Sequence, residues 1–423
     1  MSTFTTYNLG CKVNAYELSA ISSLLIKEGF IEDNNDPDVV IINTCSVTAT
    51  ADQKSRQHIR KMQKLFPRAV IAAMGCYSQG NHKFIEEEIK PTILLGTSHR
   101  KDVVELIKKA LKEGGNYKII EEDTRKYDYE ELGITSYSEN VRAFLKIQDG
   151  CNNFCTYCVV PYRRGKMRSR DPLNVIKEAE YLVSQGYQEI VLSGIHVGGY
   201  GQDLKDCSFS LMVEKLSEIK GLKSLRISSI EESEIDDDLI KLIKDKDNLA
   251  KHLHIPLQSG SNHVLKLMNR KYTREQFIAR IKEIKKQIPD VMISGDVIVG
   301  FPQESEQDFK DTYDLCKECF DMLHVFPYSP RPGTVAARMD GQISPEVKRQ
   351  RSKVLLDLSE ELYQSFASRF IDQEITVLVE KYDEKEGVNI GHTSNYISVK
   401  IPKKESQVGE YIAVKLQKSM IAS

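Results

Sequence analysis

The chain runs to 423 residues with 40% apolar and 28% charged side chains and a formal net charge of −2. Those values exclude a disordered or fibrous chain and a molecule that attracts nucleic acid by bulk charge, and the length asks for more than one hydrophobic core. No apolar run approaches the roughly 20 residues of a membrane span, and the start Met1-Ser2-Thr3-Phe4 lacks the basic region and cleavage site of a signal peptide, so a cytoplasmic protein with reduced thiols is expected.

Residues 1–115 alternate short apolar strands, over 4–9, 39–43, 69–74 and 93–95, with amphipathic helices over 15–28, 52–66 and 102–112. That alternation predicts βαβ units and a parallel sheet, an α/β domain. The acidic, aperiodic residues within 116–139 read as a linker. Residues 140–365 resume the alternation with strands over 143–148, 189–193, 224–228, 252–256, 292–298 and 322–327. Helices over 173–184, 239–244 and 274–286 follow the caps Asp171, the 236–238 aspartates and Thr273. Six βα units predict a partial (β/α)6 barrel with its helices outside. A helical stretch over 346–370 leads into alternating segments at 375–379, 396–401 and 411–416, which predict a small C-terminal β-barrel over 371–423.

Directly after the first barrel strand stands Cys151-Asn152-Asn153-Phe154-Cys155-Thr156-Tyr157-Cys158. Three thiolates at this spacing can hold one [4Fe–4S] cube and leave its fourth iron open to an external ligand. A structural zinc site is the rival reading, but it closes with a fourth ligand and none stands nearby. The position suits an active site, because βα barrels gather theirs on the loops after the strands.

Cys11, Cys45 and Cys76 each fall one to three residues beyond a predicted strand, in Leu9-Gly10-Cys11-Lys12-Val13-Asn14, Asn43-Thr44-Cys45-Ser46-Val47 and Met74-Gly75-Cys76-Tyr77. Parallel strands bring such ends to one edge, where open α/β sheets bind ligands. Small core residues are the alternative for lone cysteines, but three coincident placements predict a second cluster site.

The Cys151–Cys158 loop resembles that of radical S-adenosylmethionine (SAM) enzymes, and along essentially its whole length the sequence is similar to the methylthiotransferases. That resemblance implies an N-terminal cluster domain (1–115), a radical SAM barrel (140–365) and a C-terminal TRAM domain (371–423). It implies two [4Fe–4S] clusters, on Cys11, Cys45 and Cys76 and on Cys151, Cys155 and Cys158, with SAM on the second. Tyr157 and the strand-end residues Ser193, Gly194, Ser228, Gln258 and Gly300 match the superfamily's SAM-contact motifs. The family's branches act on isopentenyladenosine in tRNA, on an aspartate of a ribosomal protein, or on N6-threonylcarbamoyladenosine beside the anticodon. Leu9–Asn14, Leu323-His324-Val325-Phe326-Pro327-Tyr328-Ser329 and Arg331-Pro332-Gly333-Thr334 look like the third branch. The implied activity is C–H to C–S conversion at carbon 2 of that adenosine at tRNA position 37, with an electron donor such as flavodoxin or ferredoxin. A methylthiotransferase for isopentenyladenosine, or a noncatalytic iron–sulfur RNA-binding protein, is the alternative.

Two acid-free basic runs offer phosphate contacts: Lys54 to Arg68, containing Arg56, Arg60 and Lys61, and Arg163 to Arg170, containing Arg164 and Arg168. Solvated helix or loop surface is the plainer reading of each. Arg331 is the candidate for the threonyl carboxylate, an arginine that the isopentenyl branch also carries. The TRAM-like segment has seven Lys or Arg against eight Asp or Glu, so only a local patch such as residues 400–404 can attract RNA. Cys316 and Cys319, three apart on a predicted helix over 306–320, read as packing, and Cys207 is given no role.

Overall fold

A computed structural model describes residues 1–133 and 141–422; the part of the expected linker over 134–139 lies outside the described residues. The chain divides into two compact units. The first comprises Met1–Gly186, Ser193–Cys207 and Ser329–Ala337, and the second Tyr187–Leu192, Ser208–Tyr328 and Arg338–Ser423.

In the first unit, strands β1 (Thr3–Asn8), β2 (Ile31–Glu32), β3 (Val39–Thr44), β4 (Val70–Gly75), β5 (Ile93–Leu95) and β6 (Tyr117–Ile119) form one parallel sheet in the order β2-β1-β3-β4-β5-β6. β3 and β4 are buried at every position, as strands covered on both faces must be. Because successive side chains point to opposite faces, Val39 and Ile41 join Phe4, Ala72, Met74 and Ile107 in one core while Val40 and Ile42 join Ile59, Ile71 and Ala73 in the other. Helices Lys12–Lys27 and Val103–Glu113 supply the first layer, and helix Ala49–Leu65, capped by Thr48, supplies the second. β6 belongs to this sheet although its three residues fall in the stretch expected to be linker: Ile93, Leu94 and Leu95 pair with Tyr117, Lys118 and Ile119. A three-residue edge strand carries too little periodicity to be seen in sequence.

The first unit continues with β7 (Arg142–Lys146), then β8 (Gln148–Asp149) paired antiparallel with β9 (Arg168–Ser169). That short ribbon brackets the 151–158 loop and the helix Val160–Arg164. Helix Pro172–Ser184 follows, its first amides satisfied by the Asp171 carboxylate.

The second unit holds β10 (Glu189–Ser193) parallel to β11 (Ser224–Ile227), and β12 (His252–His254), β13 (Met292–Val299) and β14 (Met322–Pro327) in a second parallel set. Parallel bridges at Leu225–Leu249 and Ser229–His254 join the two sets. The helices between strands start at side-chain caps, Ser208, Asp236, Thr273 and Ser305, the last two in capping boxes. Cys316 and Cys319 are buried on helix Glu306–Cys319 and belong to its packed stripe. Helix Pro345–Ser368 leads to an antiparallel sheet in the order β17-β16-β15-β18, made of β15 (Glu374–Asp383), β16 (Val388–Thr393), β17 (Ser398–Pro402) and β18 (Tyr411–Lys415). Its core gathers Val377, Val399, Ile401 and Leu416 against Tyr363, Phe366 and Met292. β16 had no counterpart among the expected strands, since Asn389, Gly391 and His392 dilute its alternation.

Candidate cluster and cofactor site

The sheet order reverses direction at β1, whose neighbours are β2 and β3, so the crevice beyond the carboxyl ends of β1 and β3 is a topological switch point. Cys11 and Cys45 stand there, and Cys76 follows β4, the next strand along. Cys11 precedes the first turn of helix Lys12–Lys27 and donates to Asn14 Oδ1 at 3.3 Å. Cys45 is fixed through Ser55, whose hydroxyl accepts from the Cys45 amide at 3.2 Å and donates to its carbonyl at 3.1 Å. Cys76 is delivered by Gly75 at φ +101°, where a Cβ would stand 2.3 Å from Asn43 Oδ1. Asn14 and Asn43 lock the edge together, Asn14 Nδ2 donating to Asn43 Oδ1 at 2.9 Å and to the Thr44 carbonyl at 3.1 Å.

Cys11 feels the charge of Cys76, and Cys45 that of both Cys76 and Cys11. Burial pushes Cys45 up to about 11, and desolvation of the thiol raises Cys11, a residue otherwise exposed, against the opposing influence of Arg164. Thiols in this state need a bound cation to become ligands, since metal binding displaces the proton. Among the described residues no three His, Cys, Asp or Glu side chains converge closely enough to chelate a single ion. Thiolates that ligate an iron–sulfur cube sit at its separate corners instead.

Behind Cys76 lies a buried charge network that sequence reading missed. Arg164, fully buried, donates from Nε to Cys76 Sγ at 3.2 Å, from Nη1 to Glu17 Oε1 at 2.7 Å, and from Nη2 to Asn14 Oδ1 at 3.1 Å. Lys146 Nζ donates to Glu17 at 2.9 Å and to Asp149 at 2.6 Å; Arg100 meets Glu17 at 3.0 Å and Glu130 at 2.8 Å; Arg168 meets Asp149 at 3.1 Å. The neighbouring cations hold the Glu17 and Asp149 carboxyls well below the usual carboxylate range despite their burial. The cations Arg100, Lys146, Arg164 and Arg168 outnumber the carboxylates Glu17, Glu130 and Asp149, so the network accommodates further negative charge at Cys76, as cluster-bound thiolates supply. The donor set therefore fits an iron–sulfur cluster. The one sequence signal was Asn14 and Glu17, three apart on the helix that Cys11 begins; nothing marked Lys146 or Arg100 as internal.

The second cysteine set occupies the loop between β8 and helix Val160–Arg164. Gly150, at φ +71°, turns the chain where a Cβ would strike the Lys166 carbonyl at 1.9 Å, and the Cys151 amide donates to the Gly165 carbonyl at 3.1 Å. Cys151 Sγ accepts from the Asn153 amide and Cys158 Sγ from the Val160 amide, both at 3.4 Å. Amides pointed at sulfur suit anionic thiolates, and all three cysteines are partly exposed, so an external molecule can approach. Tyr157 belongs to this loop, while Ser193 and Gly194 stand beside Gln148 in the same unit. Among the described residues the buried Ser193 hydroxyl finds no hydrogen-bond partner. Ser228, Gln258 and Gly300 belong to the second unit. Gln258 holds φ +66° and donates its amide to the Asp296 carbonyl at 2.8 Å. Gly300, at φ +69°, has its missing Cβ position filled by Lys348 and its amide bound by Glu304.

The basic residues separate sharply. Arg60 is exposed on helix Ala49–Leu65, and Arg56 is half-buried over the Phe84 ring. Arg163, half-buried, packs against Gly80, and burial lowers its affinity for its proton. Arg168 departs from expectation: it is 5% exposed, paired with Asp149 and donating to the Arg164 carbonyl, so it presents no charge to RNA. Arg164 is likewise internal, and Arg170 is buried against Glu131 and Glu178. Arg331 departs too. It is 3% exposed, not on the surface, and pairs with Asp52 and Ser46, next to Cys45. Acid-free runs look exposed in sequence because their counterions, Glu17, Asp52 and Asp149, come from other segments.

The architecture and its two cysteine sets define a radical SAM enzyme. The radical SAM superfamily profile matches residues 145–316, that of the TRAM domain residues 369–420, and that of the uncharacterized protein family UPF0004 residues 3–96. The threonylcarbamoyladenosine tRNA methylthiotransferase MtaB of Bacillus subtilis is 43% identical over 99% of this chain and 94% of its own length. A tRNA-2-methylthio-N(6)-dimethylallyladenosine synthase of Thermoanaerobacter pseudethanolicus is 36% identical over 96% and 88%. The chain belongs to the methylthiotransferase family of radical SAM enzymes. Among solved structures, the radical SAM methyltransferase TsrM of Kitasatospora setae shares the fold, with a TM-score of 0.59 over 80% of this chain and 77% of that one at 14% identity. Among the described residues no helix is long and apolar enough to cross a membrane.

Proposed function

We propose that this enzyme converts N6-threonylcarbamoyladenosine at position 37 of tRNA, in the anticodon loop, to its 2-methylthio derivative, using SAM and two [4Fe–4S] clusters. The observation that carries the reading is the placement of Cys11, Cys45 and Cys76 at one switch-point edge, in the same unit as the Cys151, Cys155 and Cys158 loop. The identity to the Bacillus subtilis enzyme favours this substrate over the dimethylallyl derivative.

When bound, the clusters and SAM supply a carbon-centred radical and a transferable methylthio group, chemistry that an inert aromatic C–H bond requires. The chain's own residues hold, orient and exclude water. Cys151, Cys155 and Cys158 would anchor the cluster that receives SAM, with Tyr157, Ser193 and Gly194 beside it and Ser228, Gln258 and Gly300 on later strand ends. Cys11, Cys45 and Cys76 would hold the auxiliary cluster. Arg56, Arg60, Lys61 and Arg163 are cations that would meet RNA phosphates, with the 400–404 patch as a further contact, and an unstacked loop base is the form in which proteins usually read single-stranded RNA. The domains assigned are 1–115, a linker over 116–139, 140–365 and 371–423. A small electron carrier such as flavodoxin or ferredoxin and a cytoplasmic location complete the reading.

Mass spectrometry of tRNA nucleosides from cells lacking the protein, complemented with wild type or with Cys76→Ala, tests it. Loss of 2-methylthio-N6-threonylcarbamoyladenosine, restored by wild type alone, is expected. Loss of the isopentenyl derivative instead would move the substrate assignment to that branch, and no change in either would overturn the tRNA reading.

A further inference from the structure

The guanidinium of Arg164 comes from the segment just after the SAM-cluster loop, yet its donors serve the auxiliary edge. It meets Cys76 Sγ at 3.2 Å, and through Asn14 Oδ1, which also accepts from Cys11 Sγ at 3.3 Å, it is tied to a second thiol of that edge. Glu17 and Asp149 fix its plane from the other side, and Asp149 in turn accepts from the Gly150 amide at 2.8 Å, one residue before Cys151. An arginine cannot shed its charge, and its planar fork restricts it to this orientation.

We propose that Arg164 is a positioning residue for the auxiliary cluster: its fixed charge and its N–H···S bond to Cys76 set that cluster's reduction potential, and its carboxylate partners register the Cys151 loop against the Cys76 edge. The proposal rests on the reading that Cys11, Cys45 and Cys76 hold a cluster. Reduction adds negative charge, which a buried cation and a hydrogen bond to sulfur both stabilise, so Arg164 raises the potential. Glu17, fully buried against the same guanidinium, lowers it.

The test uses the full-length chain with Cys151, Cys155 and Cys158 all replaced by Ala, reconstituted anaerobically with iron and sulfide, and titrated by electron paramagnetic resonance against electrode potential. Iron content checks the underlying reading: a chain that takes up no iron overturns the auxiliary-site assignment itself. With iron bound, Arg164→Gln is expected to lower the midpoint by about 59 mV or more, a tenfold change for one electron. Arg164→Lys recovers most of that shift, and Glu17→Gln moves the midpoint upward. An unchanged midpoint in iron-replete Arg164→Gln overturns the proposal. If Arg164→Gln loses its iron, Glu17→Gln decides: an upward shift sustains the proposal and no shift overturns it.

Discussion

The guanidinium of Arg226 lies 5.0 Å from the centre of the Tyr396 ring and donates to the carbonyls of Thr393 and Ser394. Tyr396 is itself stacked between His252, at 4.6 Å, and His392, at 4.7 Å, and holds φ +66°. Arg226 and His252 come from β11 and β12, so one aromatic sandwich pins the C-terminal antiparallel sheet to the parallel strands of the same unit.

Replacing Tyr396 by Ala removes two ring contacts and a cation–π contact, together worth about 2–4 kcal/mol. The expected result is a lower urea midpoint and early proteolytic release of the C-terminal sheet. Identical cleavage kinetics for the two proteins would rule the sandwich out as the fastening.

Arg331 and Asp52 form a pair in which the arginine side chain is only 4% exposed. Removing one partner strands the other, at a cost of about 3–5 kcal/mol, whereas removing both costs far less than the sum. A double-mutant cycle of Arg331→Ala and Asp52→Ala in thermal unfolding should therefore show strong coupling. Additive losses would return Arg331 to the pool of substrate contacts.

Gly75→Ala tests the delivery of Cys76. The new methyl would sit 2.3 Å from Asn43 Oδ1 and 2.6 Å from the Thr44 carbonyl, on a backbone at φ +101°. The variant should bind iron only to the level of Cys76→Ala while keeping the absorbance of the cluster proposed on the Cys151 loop. A full iron complement in Gly75→Ala would show that the turn relaxes freely.

Glu232 follows β11, is 4% exposed, and has one carboxyl oxygen with no hydrogen-bond partner. Burial, reinforced by Glu231, pushes it up to about 7. The folded chain therefore keeps a proton that the unfolded chain gives up above its ordinary value of 4.5. This contribution is full below the unfolded value, declines as pH rises towards 7, and amounts to about 3 kcal/mol. Between pH 4.5 and 7 the stability of wild type relative to Glu232→Gln should fall, and parallel curves would contradict the shift.

How much of this was legible in sequence depends on how local each signal was. The parallel sheet, and with it the strand-end positions of Cys11, Cys45 and Cys76, could be read because strand periodicity is short-range. β6 and β16 were missed where three residues, or a glycine and polar neighbours, leave no pattern. The burial of three arginines was hidden for a different reason. Arg164, Arg168 and Arg331 each find an anion far off in the chain, and a run without acids says nothing about acids that folding brings to it. Glu17 shows the same limit from the other side, since an acidic residue in an amphipathic helix reads as solvated until its three cations arrive.

Residues Ser329–Ala337 belong to the first unit although the chain between Gly186 and Ser329 mostly builds the second. During synthesis, the ribosome must therefore deliver all five parallel strands of the second unit before Arg331 can reach Asp52. Through that interval Asp52, beside the Cys45 edge, has the Ser46 hydroxyl, which donates to it at 2.8 Å, but not yet the Arg331 guanidinium. Domains that fold as they emerge usually finish in order from the N-terminus; here the earliest-made unit is completed late, when Arg331 at last meets Ser46 and Asp52 beside Cys45.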